Sequence, residues 1–377
     1  MAYTNSEILE ALKGVKHPEK NADLVSLNMI EDVQINGEKI SFVLVFPGAN
    51  DPFVNSLKKA CVQAIKKHLG ESVQVEGNIE HKFATVKKER EILPGVKNII
   101  AVASGKGGVG KSTVASNLAV SIAKLGYKVG LIDADIFGPS MPKMFGVESE
   151  RPIVKKVDGI DMITPVEKYE VKMLSIGFFV NPDDALIWRG PMATNALKQL
   201  INQGDWGELD YLLIDLPPGT SDIHLTMVQE VPVTGAIIVS TPQDVALADV
   251  VKGISMFKGD GINVPVLGLI ENMAWFTPEE LPDNKYYIFG KGGCEELAGK
   301  YKLPLLQQIP IVQSIREDSD HGTPSALKTD SPVGIAYKEL AEKLIVEVER
   351  RNATVDPTKR VEIKSNTQFK EYKPNNN

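Results

Sequence analysis

Residues 101–113 read Ala-Val-Ala-Ser-Gly-Lys-Gly-Gly-Val-Gly-Lys-Ser-Thr, a run rich in the residue types that hold phosphate. Gly105, Gly110, Lys111 and Ser112 satisfy the spacing G-x-x-x-x-G-K-[ST]. A turn of little bulk through Gly105, Gly107, Gly108, Val109 and Gly110 lets backbone N–H groups converge on phosphate oxygens. The helix opening through Ser112 and Thr113 adds further donors and a favourable field. Lys111 would reach the β and γ phosphates, and the Ser112 hydroxyl would bind Mg²⁺. The ligand this pattern predicts is ATP or GTP.

Two further strand ends carry acids. Asp215 follows the apolar run Tyr211-Leu212-Leu213-Ile214, where a carboxylate can hold Mg²⁺ through water or order its shell. The next residues, Leu216-Pro217-Pro218-Gly219-Thr220-Ser221-Asp222, are stiff, then flexible, then polar, which suits a segment that senses the γ-phosphate. Asp133 and Asp135 end the strand at Lys128–Ile132. One could orient the attacking water while the other supports Mg²⁺. Lys106 is a second lysine inside the loop. It could neutralise charge developing in phosphoryl transfer, in its own site or across a dimer interface, or simply face solvent.

Positioning these residues requires alternating buried strands and helices. Apolar strands are expected at 98–103, 128–132, 162–165, 171–176, 211–214, 235–239 and 264–270, and a further one within 303–309. Helices are expected from the phosphate loop to Gly126, over 192–201, from about Gly293 and over 332–348. Near-continuous apolar strands imply helices on both sheet faces. The fold class is therefore α/β, a mostly parallel sheet with sites at the strands' carboxyl ends.

Residues 1–80 form a small α+β domain in this reading. Ser6 caps a short helix to Leu12, and Leu24–Ile30 pairs with Ile40–Phe46 about the Asn36-Gly37 turn. Asp51 caps a helix to about His68, with Val54, Leu57, Cys61 and Ile65 on its apolar face, and Ser72–Val75 adds a strand. His17, His68 and His81 have no partners at metal-ligand spacing and read as surface residues. Residues 81–96 are a charged linker, 97–350 the nucleotide-binding domain, and 351–377 a polar, mobile tail.

The chain has 377 residues, 43% hydrophobic and 24% charged, with a net charge of −7. That balance gives no support for nucleic-acid binding, and the basic run at 87–90 has no aromatic interleaving. There is no basic leader with an apolar core, and no apolar run of roughly 18 residues that would span a bilayer. A cytoplasmic protein with no stable membrane association is expected. Two cysteines, Cys61 and Cys294, are too few for a disulfide framework.

Residues 105–113 resemble the deviant phosphate loop of the MinD/ParA class of dimerising ATPases. Within that class the chain resembles the Mrp (ApbC) family of iron–sulfur cluster carrier ATPases. The matching motifs are Asp133-Ala134-Asp135-Ile136-Phe137-Gly138-Pro139-Ser140, Arg189-Gly190-Pro191-Met192, residues 215–222 and Thr241-Pro242-Gln243. They cover about 95–345, and the first 80 or so residues resemble the MIP18-type domain often fused before it. The resemblance implies Mg-dependent ATP hydrolysis in a homodimer, with Lys106 reaching the partner's nucleotide. It places Asp135 in the first switch and Asp215 in the second. Asn272 is implied to hydrogen-bond adenine, favouring ATP over GTP. Implied partners are iron–sulfur assembly proteins or apoprotein clients.

Family members that carry a bridging 4Fe–4S cluster have Cys-x-x-Cys shortly after Glu-Asn-Met. Here Glu271-Asn272-Met273 is followed by no cysteine until Cys294. A dimer would offer two Cys294 thiolates, not four. Cys294 thus reads either as a packing residue at a helix start or as a ligand of a labile or partner-shared cluster. Glu279, Glu280 and Asp283 could bind a harder metal or be surface acids. The alternative function is a nucleotide-dependent dimeric switch or adaptor without a cluster of its own.

Overall fold

A parallel sheet buried on both faces can present functional side chains to a ligand only at its strand ends, and that constraint shapes the larger part of this chain. The computed structural model describes residues 3–20, 22–46, 51–83, 92–136, 138–157, 159–179, 190–259, 262–278, 280–281 and 283–357. The chain divides into two units, Met1–Arg90 and Glu91–Asn377. None of the described helices is long and apolar enough to cross a membrane.

In the first unit, α1 (Asn5–Leu12) is capped by Thr4, whose hydroxyl and backbone exchange hydrogen bonds with Glu7. Ser6, the expected cap, lies two residues too far in. β1 (Ile30–Asn36) pairs antiparallel with β2 (Lys39–Phe46). The hairpin strand expected at Leu24–Ile30 therefore lies later. The tight turn pairs Asn36 with Lys39, so the residues facing β2 are those immediately before the turn. α2 (Val54–Leu69) buries Val54, Leu57, Cys61 and Ile65, as the spacing predicts. Its N-cap position is Phe53; Asp51 lies ahead of it, accepting the Phe53 N–H. The other Asp51 oxygen lies 3.1 Å from His17 Nε2. His17 is therefore buried against expectation, whereas His68 and His81 are exposed. β3 (Ile79–Phe83) runs parallel to β2. The strand expected at Ser72–Val75 is only a single bridge from Gln74 to Lys39.

The second unit begins with β4 (Val96–Ser104), α3 (Lys111–Lys124), β5 (Val129–Asp133), the short α4 (Met141–Met144) and a hairpin, β6 (Ile153–Val157) with β7 (Ile160–Thr164). β8 (Val166–Lys168), β9 (Val171–Ser175), α5 (Gly190–Gln203), β10 (Leu209–Asp215), α6 (Asp222–Glu230) and β11 (Gly235–Ser240) follow. The chain continues with α7 (Asp244–Lys258), β12 (Val266–Phe276), α8 (Gly293–Tyr301), β13 (Leu305–Ile311), α9 (Gln313–Asp320) and α10 (Pro332–Thr354). The main sheet has the order β13-β12-β11-β4-β10-β5-β9-β8 and is parallel except for the β8–β9 edge. Helices α5, α6, α7 and α8 cover one face, and α3 and α10 the other.

The expected α/β architecture is present, with local differences. β12 runs on to Phe276 rather than ending at Ile270. α9 is too polar to show an apolar stripe, burying only Asp318. α10 continues to Thr354, into the expected tail, because Arg351 is drawn into the core surface. The rest of the tail from 358, and residues 84–91 of the linker, lie outside the described residues.

α10 buries Val333, Tyr337, Leu340, Leu344 and Val348 at helical spacing against α3 and the sheet. Tyr337 is fully buried, and its hydroxyl has no hydrogen-bond partner among the described residues. An idle buried hydroxyl opposes burial, while the ring fills space. Tyr337→Phe should therefore leave the thermal midpoint of this unit unchanged or raised. Tyr337→Ala should destabilise it by about 3–5 kcal/mol, read by calorimetry.

Candidate nucleotide site

The parallel register brings the chemistry to one edge. Asp215 at the end of β10 is aligned with Asp133 at the end of β5 and with Val102 of β4, two residues before the phosphate loop begins to turn. Residues 105–110 follow β4, and α3 starts at Lys111. Gly110 has φ +82°, and a Cβ there would collide with the Asn272 amide, so both backbone shape and space demand glycine. A Cβ on Gly105 would likewise strike the α7 backbone at Asp249 and Val250. Val109, between them, is buried.

Beneath the loop, Lys111 Nζ lies 2.6 Å from Asp215 Oδ1, and the Ser112 hydroxyl donates to Asp215 Oδ2 at 2.7 Å. Asp215 is wholly buried and Lys111 nearly so. Burial raises the Asp215 pKa, and Lys111 pulls it back toward ionisation. Removing either partner would strand a buried charge, a change typically costing about 3–5 kcal/mol. Above them lies a cavity of about 230 Å³ lined by Lys106 to Thr113, Asp135, Ser140, Met144 and Pro218. Its loop amides, Lys111, Ser112 and Asp215 are the donor set that a magnesium–triphosphate group requires, so the residues fit that ligand.

Asp133 and Asp135 occupy different environments. Asp133 is fully buried and accepts from the N–H groups of Asp135, Ser140 and Met141 and from the Ser175 hydroxyl, at 2.9–3.3 Å. It therefore pins the segment on which Asp135 sits. Burial, and secondly the charge of Asp215, outweigh these hydrogen bonds and push its pKa up to about 7. Asp135 is half-buried and lines the cavity. Lys106 is exposed, and its amine makes no ion pair among the described residues.

The segment after Asp215 is clipped back to β4: Leu216 N–H donates to Val102 O and Gly219 N–H to Ser104 O. His224, in the first turn of α6, was not among the expected site residues. It is buried, and its Nδ1 accepts the Ser221 N–H at 3.1 Å. The signal available in the sequence was its capping-box spacing from Ser221.

Asn272 lies near the end of β12, buried, with its amide donating to Val109 O at 2.8 Å. The side chain expected at adenine thus braces the phosphate loop from behind. The neighbouring Glu271, also not anticipated, is buried and accepts the Cys294 N–H at 2.8 Å and the Gln308 amide at 2.7 Å. Cys294 has no exposed surface; its sulfur lies 4.0 Å from Thr241 O. Burial and the Glu271 charge push the thiol up to about 12. A wholly buried thiol with no gathered co-ligands among the described residues does not fit a cluster ligand. Among the described residues no three His, Cys, Asp or Glu side chains gather to hold a metal. Glu280 and Asp283 are exposed, and Glu279, Phe137 and Arg189 lie outside the described residues.

Two outcomes follow from this geometry. Asn272→Ala should weaken ATP binding by about 10-fold, measured by titration calorimetry, because the loop carbonyl loses its brace. The second concerns pH in the absence of nucleotide and magnesium. Asp133 is raised from 3.8 to about 7, so its favourable contribution is complete below 3.8 and is lost as pH rises through 7. Asp133→Asn does not ionise, so its melting temperature relative to the parent should climb between pH 5 and pH 8. A constant difference across that range would contradict the raised pKa.

The ParA family model, described as NUBPL iron-transfer P-loop NTPase, matches residues 95–345. A second model, described as iron-sulfur cluster assembly protein, matches residues 5–76. The chain is 44% identical over 322 residues to an iron-sulfur cluster carrier protein of Synechocystis sp., covering 85% of this chain and 91% of the relative. It is 53% identical over 265 residues to a protein of the same name from Aquifex aeolicus, covering 70% and 71% respectively. Among solved structures, a nucleotide-binding protein of Archaeoglobus fulgidus in complex with ADP is 40% identical. It aligns with a TM-score of 0.56 over 65% of this chain and 93% of its own. With the family's loop, both strand-end acids and an N-terminal assembly-type domain in place, the chain belongs to the iron–sulfur cluster carrier family of P-loop ATPases.

Proposed function

We propose that this protein hydrolyses Mg·ATP in the service of iron–sulfur cluster assembly or delivery. The observation that carries the nucleotide half is the buried contact of Lys111 and Ser112 with Asp215 under the phosphate loop. In this reading the phosphate chain takes Lys111 away from Asp215. Ser112 and Asp215 would hold the magnesium ion, which would neutralise charge on the phosphate oxygens. Asp135 orients the attacking water from the cavity wall, and Asp133 holds Asp135 in place. Asn272 keeps Val109 and Gly110 in register with the phosphates. Thr113 continues the donor array into α3. Lys106, exposed beside the cavity, adds positive charge to the transition state. It would do so across a face-to-face homodimer, each copy reaching the other's nucleotide.

The client surface in this reading is the segment after β12. Phe276 and Tyr286 exchange backbone hydrogen bonds of 2.8 Å. Lys285 stands 4.0 Å over the Trp275 ring, and Leu281, Tyr286, Tyr287 and Ile288 are exposed. Such an aromatic and aliphatic patch suits a protein partner, an assembly protein or an apoprotein client. The cluster is cargo here. Since neither thiol of this chain fits as a ligand, its ligands come from the partner. A second reading, a nucleotide switch that handles no cluster, is favoured by the same burial of Cys294.

Anaerobic transfer of a cluster from a loaded scaffold to an apoprotein separates the two. Mg·ATP with the native chain should accelerate transfer, and Lys111→Ala should remove the effect, losing on the order of 100-fold in hydrolysis. Cys294→Ser should transfer as the native chain does. Hydrolysis without any acceleration of transfer would overturn the cluster role and leave the switch. Loss of transfer in a folded, ATP-hydrolysing Cys294→Ser variant would return that thiol to the ligand set.

A further inference from the structure

Asp133 ends β5, and its partner in register on β9 is Ser175, which is fully buried. The Ser175 hydroxyl donates to Asp133 Oδ2 at 2.9 Å and accepts the Gly177 N–H at 3.0 Å. A backbone N–H can only donate, so the hydroxyl oxygen serves Gly177 and its hydrogen is left for the carboxylate. Asp133 in turn accepts the Asp135 N–H on Oδ1 and the Ser140 and Met141 N–H groups on Oδ2. Those three donors all belong to the stretch being held. The Ser175 hydroxyl comes from the sheet. The terminal torsion of an aspartate is soft, and this bond fixes it in the frame of β5 and β9.

The turn after Ser175 meets the same stretch a second time. Ser175 caps the 3-10 turn Ile176–Phe178. A Cβ on Gly177 would lie 3.2 Å from Pro139 Cβ and 3.3 Å from Pro142 Cγ, so the bare glycine backbone lets both prolines rest on the turn. Phe178 is buried in the same apolar cluster as Met141 and Phe145. A polar contact through Asp133 and an apolar one through the two prolines thus bear on the stretch that carries Asp135 and Ser140. Both of those residues line the phosphate cavity.

We propose that Ser175 is a positioning residue for ATP hydrolysis: its hydroxyl fixes the Asp133 carboxylate and, through it, the place of Asp135 on the cavity wall. The inference rests on the reading that Asp135 orients the attacking water. Ser175 is not among the residues lining the cavity, so its effect on rate passes through Asp133 and Asp135. Small displacements of an orienting group are costly in the chemical step and leave ground-state binding almost untouched.

The test is steady-state hydrolysis of Mg·ATP by the full chain, measured well below each variant's melting temperature. Ser175→Ala should lose about 10-fold in kcat with KM within about twofold. Ser175→Thr and Ser175→Val match in size and differ in the hydroxyl, so the threonine variant should turn over about 10-fold faster than the valine one. In an Asp135→Ala background, Ser175→Ala should cost less than about twofold further, because the group it positions is gone. A native kcat in Ser175→Ala, equal kcat in the threonine and valine variants, a loss confined to KM, or the full loss repeated in the Asp135→Ala background would overturn the proposal. Failure of the parent reading is distinct, because Asp135→Ala alone would then keep the native kcat.

Discussion

The ion pair between Lys111 and Asp215 is the contact around which the second unit is arranged. Both groups are out of water, so each is tolerable only while the other is present. Their meeting requires β4 and β10 to lie side by side in parallel, with the register that sets Asp215 opposite Val102. It also requires the loop between β4 and α3 to turn back over the strand end, which Gly105 and Gly110 permit by letting α7 and Asn272 approach its backbone. The pair is poised rather than final. In the proposed function a phosphate chain would offer Lys111 a better partner, and Asp215, whose burial disfavours a bare charge, would then need a cation. Ligand binding thus exchanges one neutralisation for another.

The pair is connected to the surrounding structure along two routes. One runs through Asp215 into residues 216–221, clipped to β4 and ending at His224. The other runs from Val109 through Asn272 into β12, whose far end carries Trp275 and Phe276. Glu271, adjacent to Asn272, ties the same strand to the start of α8 through the Cys294 N–H. The phosphate loop is attached to this strand directly through Asn272, and the exposed Tyr286–Ile288 patch follows the same strand further along the chain.

Much of this was legible in the sequence, and the reasons are local. The phosphate loop needs small residues at fixed spacing, so Gly105 to Ser112 announce it without tertiary information. Strands buried on both faces read as apolar runs ending in acids, which located Asp133 and Asp215. Asn272 and His224 could not be read the same way. Their roles depend on which backbone group a strand or helix brings opposite them, Val109 O in one case and Ser221 N in the other. His17 was misplaced for a similar reason, since its partner Asp51 is 34 residues away. The hairpin at β1 slipped because the alternation at 24–30 is as good a strand pattern as the true one, and only the turn decides between them.

The two cysteines have a consequence outside the chemistry of clusters. Cys61 lies on the buried stripe of α2 in the first unit, and Cys294 at the start of α8 in the second. Burial pushes both thiols up to about 12. Buried and with the thiolate disfavoured, both are shielded from oxidants and alkylating reagents in the folded chain. Each becomes reactive only when its own unit opens. With one cysteine in each unit, the chain carries an internal gauge of local unfolding for each half separately.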